Sequence, residues 1–431
     1  MSSNPPARLS PRMAVVMLLA LATIAKFIWA ATSLGTTDSM LFYFFGESIE
    51  RHGLAALYTG TTVFNHTPLT AWIIDLLFRA SHAYYPHFES FFGQPSGGPG
   101  LKLYADYPLF AFTLRLGSIL ADIALVLGLL HVKKLTGQPP WWALCLFAVS
   151  PVSIMVSGFH GNIDPIMVVF LFYAAVAVLT DRPALCGALF AAACNVKIAP
   201  ILIAPVFLFY WIGRGWRPAA KFMAASGALM LAGAAWGLMN CPAAFIRNVF
   251  GYGSYWGTWG VTYLLNVTGV KDFSLVSYTG LTAAQNEVIS ALKFIIIAGV
   301  LVIAWRRRKL GGLDFFGTLT AAYAWLFIFM PGAGPQYMVW FAPFLLLSAP
   351  RWWLAFTAAS ALFMFRFYDT TSHGHFPWDL ALPRGPEQPY WAPWTLIPWS
   401  LFIALICCEA AAFLRSRKPR PAPPAAMPEA A

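Results

Sequence analysis

The chain has 431 residues, of which 59% are hydrophobic and only 10% are charged. Soluble globular proteins have about 45–50% apolar and about 25% charged residues, so this composition excludes a soluble enzyme, a disordered scaffold and a disulfide-stapled secreted module. The net charge of +11 does not indicate a nucleic-acid partner, because most cations stand in short clusters between apolar runs. Six cysteines without Cys-x-x-Cys spacing indicate neither a zinc site nor a disulfide framework.

Recurring apolar runs predict an all-α, polytopic membrane protein of about twelve transmembrane helices. The first run, 13–31, contains Lys26 and no convincing cleavage site, so we expect a retained helix rather than a signal peptide. The later runs are 109–132, 141–157, 166–179, 184–196, 198–212, 219–239, 288–305, 315–330, 337–347, 352–365 and 394–413.

Basic residues recur in alternate connections, which is typical of cytoplasmic loops. The clusters are Arg8 and Arg12; Lys133 and Lys134; Arg182; Arg214, Arg217 and Lys221; Arg306, Arg307, Arg308 and Lys309; Arg351; and Arg415, Arg417, Lys418 and Arg420. We therefore expect a single domain over 1–431 with both termini in the cytoplasm. The proline-rich segment 416–431 is predicted to be a disordered cytoplasmic tail.

Three longer, more aromatic connections fall on the opposite, outer face in this threading. The first outer loop, 32–107, contains two half-apolar segments, 38–52 and 68–85, which we predict to be helices at the membrane interface. The second outer loop is 240–286 and the third is 368–393. Long outer loops place the expected chemistry on the non-cytoplasmic side.

Ionisable residues at membrane depth are costly and are candidates for function. Asp38 follows the first helix and could act as a general base, although Asp is also a frequent helix N-cap. His66 precedes a second predicted helix and could bind phosphate or sugar. By contrast, Arg115 and Asp122 are seven residues apart on one helix face, which favours a role in helix packing.

Three short outer turns carry the other candidates. Segment 158–165 (GFHGNIDP) combines glycines with His160, Asn162 and Asp164. Lys197, in segment 195–200, breaks the charge bias and needs an anion partner, which could be a lipid headgroup or a bound phosphate. The third turn, 332–337, contributes Gln336 and Tyr337. Two cations, Arg247 and Arg366, are predicted on or near the same face.

The order of these features resembles the GT-C superfamily of membrane glycosyltransferases, in particular enzymes that use dolichyl- or polyprenyl-phosphate sugars to transfer glucose or mannose. Segment 65–71 (NHTPLTA) is similar to their Asp-Tyr-Pro-Pro-Leu-Thr-Ala, and Arg115 with Ala-Asp-Ile at 121–123 is similar to their Arg…Ala-Asp-Leu helix. Segments 158–162 and 195–197 resemble their Gly-His-Phe-Gln-Tyr-Asn and Asn-Tyr-Lys-Gln turns. The chain departs from the pattern in two places: Asp38 has no acidic neighbour, and Pro-Gln-Tyr at 335–337 resembles bacterial relatives rather than the eukaryotic His-Glu-Lys.

The resemblance implies an inverting hexosyltransferase whose donor is a polyprenyl-phosphate-linked sugar and whose acceptor hydroxyl belongs to a glycan, lipid or protein. It implies Asp38 as the catalytic base and neither a metal nor a cofactor. The residues expected at the donor phosphate are Lys197, Arg247, Arg366, Gln336 and Tyr337. The residues expected to bind substrate are His66, His160, Asn162 and Asp164.

The expected location is the bilayer of a bacterial inner membrane, with a periplasmic active site. A secondary transporter or lipid flippase is the main alternative, since about twelve spans with both ends inside is a common arrangement in transporters; it would call for two similar halves, and no such repeat is found. A non-catalytic assembly factor is a third hypothesis. Consumption of a polyprenyl-phosphate hexose would distinguish the three.

Overall fold

The computed structural model describes residues 10–89, 104–251, 255–274, 280–382 and 390–416. Within these ranges the chain forms helices and no named strand, apart from one isolated parallel bridge between Thr36 and Ala381. The all-α prediction is therefore confirmed. The predicted tail lies outside the described residues, except for Ser416 at the end of the last helix.

The described residues form eighteen α-helices, whose bounds follow in chain order. They are α1 Pro11–Thr32, α2 Thr37–His52, α3 Leu54–Gly60, α4 Pro68–Phe88, α5 Tyr107–Thr136, α6 Trp141–Ala148, α7 Pro151–Ile154, α8 Asp164–Leu179, α9 Pro183–Val196, α10 Ala204–Arg214, α11 Trp216–Asn240, α12 Pro242–Phe250, α13 Gly260–Asn266, α14 Ala283–Arg307, α15 Asp314–Phe329, α16 Ala342–Ser348, α17 Pro350–Thr371 and α18 Leu396–Ser416. A π-helix follows α7 at Met155–His160, and 3₁₀ turns form at Ala199–Ile203, Pro335–Val339 and Ala392–Thr395.

Six helical segments in the described ranges are long and apolar enough to cross a membrane, as a multi-pass membrane protein requires. They are Pro11–Thr32, Tyr107–Thr136, Trp141–His160, Trp216–Asn240, Ala283–Arg307 and Ala392–Ala411. Helices α8, α9 and α15 and the segment Ala199–Arg214 are apolar but shorter. A helix of 16 residues is about 24 Å long, less than the roughly 30 Å of a hydrocarbon core. The number of spans, about twelve, stays a prediction.

The short helices form the centre of the molecule. Helix α8 packs against α5 and α9, and α9 packs against α11. Helices α8 and α15 bury apolar side chains around most of their circumference, which is the pattern of central helices. Helix α8 begins, and α9 ends, near the π-helix and the Pro335–Val339 turn. These irregular segments leave polar groups at one end of the core, which we call the site end.

A buried ion pair joins α1 to the rest of the fold. The Nζ of Lys26 lies 2.7 Å from Oδ2 of Asp122 and 2.7 Å from Oγ of Ser153, which also donates to Asp122. Both charged side chains are less than one-tenth exposed. Asp122 on α5 therefore holds α1 and α7 in place, which confirms the packing role expected for it. The ion pair also explains why an apolar helix such as α1 can contain a buried lysine.

Candidate functional site

Asp38 is fixed at the start of α2 by the turn before it. The hydroxyl of Thr36 accepts a hydrogen bond from the Asp38 amide at 3.2 Å and donates to the backbone oxygen of His160 at 2.8 Å. The Thr37 amide donates to the carbonyl of Ala381 at 3.1 Å, which ties this turn to the third outer loop. Since Thr36 is the N-cap of α2, the alternative that Asp38 serves as the cap is wrong, and its carboxyl group is left for other partners.

One oxygen of the Asp38 carboxylate receives three hydrogen bonds. Its Oδ2 accepts from Nδ2 of Asn162 at 2.6 Å, from Nε2 of His160 at 3.0 Å and from Nε2 of Gln336 at 3.1 Å. The hydroxyl of Tyr368 lies 2.9 Å from Nδ1 of His160. The Nε2 hydrogen of His160 faces the carboxylate, and Tyr368 contacts the ring at its other nitrogen.

The other oxygen of Asp38 is open. Oδ1 accepts no hydrogen bond from any residue in the described ranges, and the side chain is 29% exposed. Burial by itself raises the pKa of this carboxyl, but the hydrogen bonds and charge of His160, the amide of Asn162 and the charge of Lys197 together lower it to about 2. Asp38 is therefore ionised at neutral pH and has one oxygen free to receive a proton.

Lys197 lies beside this carboxylate with an internal counterion. Its Nζ is 2.8 Å from Oδ1 of Asp164, and the indole Nε1 of Trp340 donates to Oδ2 of Asp164 at 2.8 Å. The ammonium also lies 4.6 Å from the ring centre of Tyr337. Asp164 is completely buried, and its amide donates to Oδ1 of Asn162 at 3.1 Å. The anion partner predicted for Lys197 is thus a protein carboxylate, and Asp164 positions Lys197 and Asn162.

His66 packs into the wall of the site. Its ring lies between the rings of Phe42 and Phe64, at centroid distances of 5.4 and 5.5 Å, and Nδ1 is 3.3 Å from the backbone oxygen of Val196. Burial, followed by the charge of Lys197, lowers the pKa of this imidazole to about 4. His66 is therefore neutral at pH 7, where it can exchange hydrogen bonds with a sugar but adds no positive charge.

The two predicted arginines lie apart from this cluster. Arg247, on α12, donates to the backbone oxygen of Tyr58 at 3.4 Å, and the Tyr58 hydroxyl donates to the backbone oxygen of His66 at 2.7 Å. Arg247 is thus at the edge of the site. Arg366 is exposed, with its guanidinium 5.2 Å from the ring centre of Trp394. Among the described contacts, none joins Arg366 to the carboxylate cluster.

Eight of the ten predicted site residues come together at the site end, although they are up to about 300 positions apart in sequence. We call this group the Asp38 cluster. Its members are Asp38, His66, His160, Asn162, Asp164, Lys197, Gln336 and Tyr337.

Arg115, for which the sequence predicts a role in helix packing, joins α5 to the end of α1 beside the cluster. Its side chain is fully buried, and Nη1 donates to the backbone oxygens of Ala30 and Ser33 at 3.0 and 2.9 Å, at the carboxyl end of α1. The guanidinium fills the space where a side chain on Gly35 would point, whereas a side chain on Gly161 would collide with Ser39. Both glycines have positive φ, +85° and +74°. The turn that leads to Asp38 is therefore packed directly against Arg115.

Three further functional candidates were missed. Thr36, Tyr368 and Trp340 hold Asp38, His160 and Asp164 respectively. Thr36 stands two residues before Asp38, which is the spacing of a turn closed by a threonine hydroxyl, so the sequence contained a signal for it. The other two lie in aromatic stretches, where nothing in the sequence separates a hydrogen-bonding ring from a packing one.

Within the described ranges, no group of three His, Cys, Asp or Glu side chains could hold a metal ion. The family model for glycosyltransferase family 87 matches residues 84–331. This segment includes His160, Asn162, Asp164 and Lys197, while Asp38 precedes it and Gln336 follows it. No curated protein matches the chain. The match covers more than half of the sequence, and the chain therefore belongs to glycosyltransferase family 87.

Proposed function

We propose that this glycosyltransferase moves a hexose from a polyprenyl-phosphate-linked donor to a hydroxyl acceptor at the outer face of the membrane. The observation that carries the proposal is the state of Asp38, an ionised carboxylate with one oxygen held by three donors and the other oxygen open. The charge of Lys197 acts on this carboxylate, at the end of an apolar helical core. A base beside a cation suits a reaction that deprotonates a hydroxyl and releases a phosphate.

The proposed step is a single displacement. The acceptor oxygen forms a bond to the anomeric carbon, the bond from that carbon to the phosphate oxygen breaks, and its electron pair stays on the phosphate. The acceptor proton passes to Oδ1 of Asp38. A pKa of about 2 makes this carboxylate a weak base, so the proton is expected to move late, once the attacking hydroxyl has become acidic.

Inversion of the anomeric centre follows from having one available carboxylate. A double displacement needs a second carboxylate that can attack the sugar. Asp164 is the other acidic residue in the cluster, but it is fully buried and both of its oxygens are bonded, to Lys197 and Trp340. A single attack from the face opposite the leaving group inverts the configuration.

The leaving group is expected to be a lipid phosphomonoester, which gains negative charge as the bond breaks. Lys197 is the proposed cation for that charge, with Gln336 and Tyr337 as hydrogen-bonding partners and Arg247 at the edge. Lys197 is held rigidly between Asp164 and two aromatic rings, so little reorganisation is needed during the reaction. We leave Arg366 out of this set because its guanidinium lies over Trp394.

His66, His160 and Asn162 are proposed to orient the sugars, and His160 and Asn162 also hold the carboxylate. A lipid-linked donor fits a site at the end of membrane-spanning helices, because the hydrocarbon tail can stay in the bilayer while the phosphate reaches Lys197. A lipid-linked donor at this position also removes the need for a soluble nucleotide sugar as donor.

The purified chain in proteoliposomes tests the donor class. Three labelled donors are supplied separately with a crude envelope acceptor: a polyprenyl-phosphate hexose, a uridine-diphosphate hexose and a guanosine-diphosphate hexose. We expect label to leave only the polyprenyl-phosphate donor, with accumulation of free polyprenyl phosphate and a product of opposite anomeric configuration by NMR. Transfer from a nucleotide sugar alone would contradict the proposal, and movement of intact donor between leaflets without transfer of the hexose would indicate a flippase.

A further inference from the structure

A polar cavity lies away from the Asp38 cluster. Its volume is about 660 Å³, and it is lined by three cations, Arg214, Arg217 and Lys221, together with Asp181 and Tyr210. These residues come from the end of α8 and α10 and from the start of α11. The cavity is open to solvent, and its charged lining is on the protein surface. It is therefore accessible to a ligand from outside the helical core.

The cavity and the Asp38 cluster are at opposite ends of the same two helices. Helix α8 begins at Asp164 in the cluster and ends at Leu179 in the cavity wall, which is a separation of about 24 Å. Helix α9 begins at Pro183 in the cavity wall and ends beside Lys197. A ligand in this cavity is thus separate from the transferase site.

Among the described residues, no ion pair involves Arg214, Arg217 or Lys221, although Asp181 lines the same space. Arg214 instead lies over the ring of Tyr210 at 4.8 Å, and Arg217 over the ring of Trp216 at 5.6 Å. Arg214 also shares a side-chain hydrogen bond with Tyr210, and the remaining guanidinium N–H groups of the two arginines can meet an anion. Three positive charges against one negative charge favour an anionic ligand.

Two helices also begin at this cavity. Pro183 opens α9, with 14 residues, and Trp216 opens α11, with 25 residues. The amino ends of helices carry partial positive charge and unsatisfied N–H groups, which add to the attraction for an anion. One wall is apolar, formed by Val178, Leu179 and Pro183. The cavity therefore offers a charged side and a carbon-lined side.

We propose that this basic cavity binds a phosphate-bearing anion, with the phosphate on the arginines and the carbon part on the apolar wall. Arginine is suited to phosphate because its planar N–H groups can contact two oxygens at once. Two sources have this chemistry: the headgroup of an anionic phospholipid, since basic pockets between membrane helices bind such lipids, or a water-soluble phosphate ester. The inference is independent of the donor proposed for the transferase site.

Native mass spectrometry of the full-length chain in detergent tests the proposal and separates the two sources. Phosphatidylglycerol, phosphatidylcholine and inorganic pyrophosphate are titrated against the natural chain and against Arg214→Gln/Arg217→Gln. The control is Lys134→Gln, which removes an exposed cation at the end of α5, outside the cavity. Thermal unfolding of each variant shows whether it is folded, and hexose transfer should be unchanged in all of them.

For a lipid ligand, we expect saturable binding of phosphatidylglycerol over phosphatidylcholine, weakened about a hundredfold in the double variant, which is about tenfold for each arginine, and unchanged in Lys134→Gln. For a soluble phosphate ester, pyrophosphate should bind and raise the unfolding temperature of the natural chain but not of the double variant. Equal weakening in the double variant and in Lys134→Gln would overturn the proposal, because it would reflect overall charge. Failure of both phosphatidylglycerol and pyrophosphate to bind would also overturn it.

Discussion

The hydrogen bonds to Oδ2 determine how Asp38 responds to pH. The donated bonds and the Lys197 charge stabilise the ionised form, so the acid limb of activity caused by this group should lie near pH 2. Replacement Asn162→Ala removes the 2.6 Å donor. Loss of a bond to the charged form raises the pKa, and the acid limb should therefore move up by about one pH unit.

The pH dependence of kcat/KM for hexose transfer measures this shift. The matched control is Asn240→Ala, because the Asn240 amide is exposed and its hydrogen bond in the described part of the chain goes to the carbonyl of Trp236 within its own helix. An Asn162→Ala profile that coincides with the natural profile would show that this amide does not set the titration of the base.

The candidate residues were predictable because polar side chains stand out between apolar runs. His160, Asn162 and Gln336 were all identified in this way, although nothing in the sequence indicated that they meet at a single oxygen. Arg366 was misleading for a geometric reason. It is two residues before Tyr368, which reaches His160, but residues two apart on an α-helix point about 200° apart.

Helix ends, rather than helix faces, build the site. The expected segments 38–52 and 68–85 are helical, as α2 and α4, because both carry amphipathic periodicity and the second starts with a proline. The π-helix at Met155–His160 could not be predicted. Its irregular backbone depends on contacts with α1 and α5, and local periodicity carries no information about those contacts.

The turn between α1 and α2 should be the most sensitive backbone element. Both Gly35 and Gly53 have positive φ, but a side chain on Gly35 would collide with Arg115 and with the carbonyl of Phe159, whereas one on Gly53 would meet nothing within 4 Å. Each change to Ala should cost about 1 kcal/mol of backbone strain. Only Gly35→Ala should also lower kcat, because it displaces the turn that carries Asp38.

Thermal unfolding and kcat, measured on both variants, separate strain from displacement. Equal kcat in Gly35→Ala and Gly53→Ala would mean that the position of this turn does not control transfer.

The attachment of α1 depends on its buried ion pair. Replacement Asp122→Asn leaves the Lys26 ammonium buried without a counterion, which should lower the free energy of unfolding by about 3 kcal/mol. The double variant Lys26→Met/Asp122→Leu removes both charges and should recover most of that loss. The free energy of unfolding in mixed micelles measures these differences. An Asp122→Asn variant as stable as the natural chain would refute the role given to the ion pair.

At the scale of the whole molecule, the long apolar helices indicate a membrane protein, and membership of a glycosyltransferase family indicates a transferase rather than a transporter. The orientation remains a prediction from the distribution of cations. It places the Asp38 cluster outside, and the basic cavity and both termini inside. The number of spans cannot be counted from the sequence because the central helices are short. A helix of 16 residues is shorter than the hydrocarbon core, so its length does not show whether it crosses the bilayer.

Cysteine labelling tests this orientation. With the native cysteines replaced by Ala, Thr62→Cys in the first outer loop and Lys134→Cys at the end of α5 each introduce one exposed thiol. A membrane-impermeant maleimide should label Thr62→Cys in intact spheroplasts and Lys134→Cys only after permeabilisation. The opposite pattern would place the Asp38 cluster in the cytoplasm.

The most direct measurement is hexose transfer by Asp38→Asn in proteoliposomes supplied with the polyprenyl-phosphate donor. The amide keeps the shape of the side chain but cannot accept the acceptor proton, so kcat should fall by at least about a hundredfold. Donor binding and the unfolding temperature should change little. A folded Asp38→Asn variant that transfers hexose at the natural rate would contradict the account.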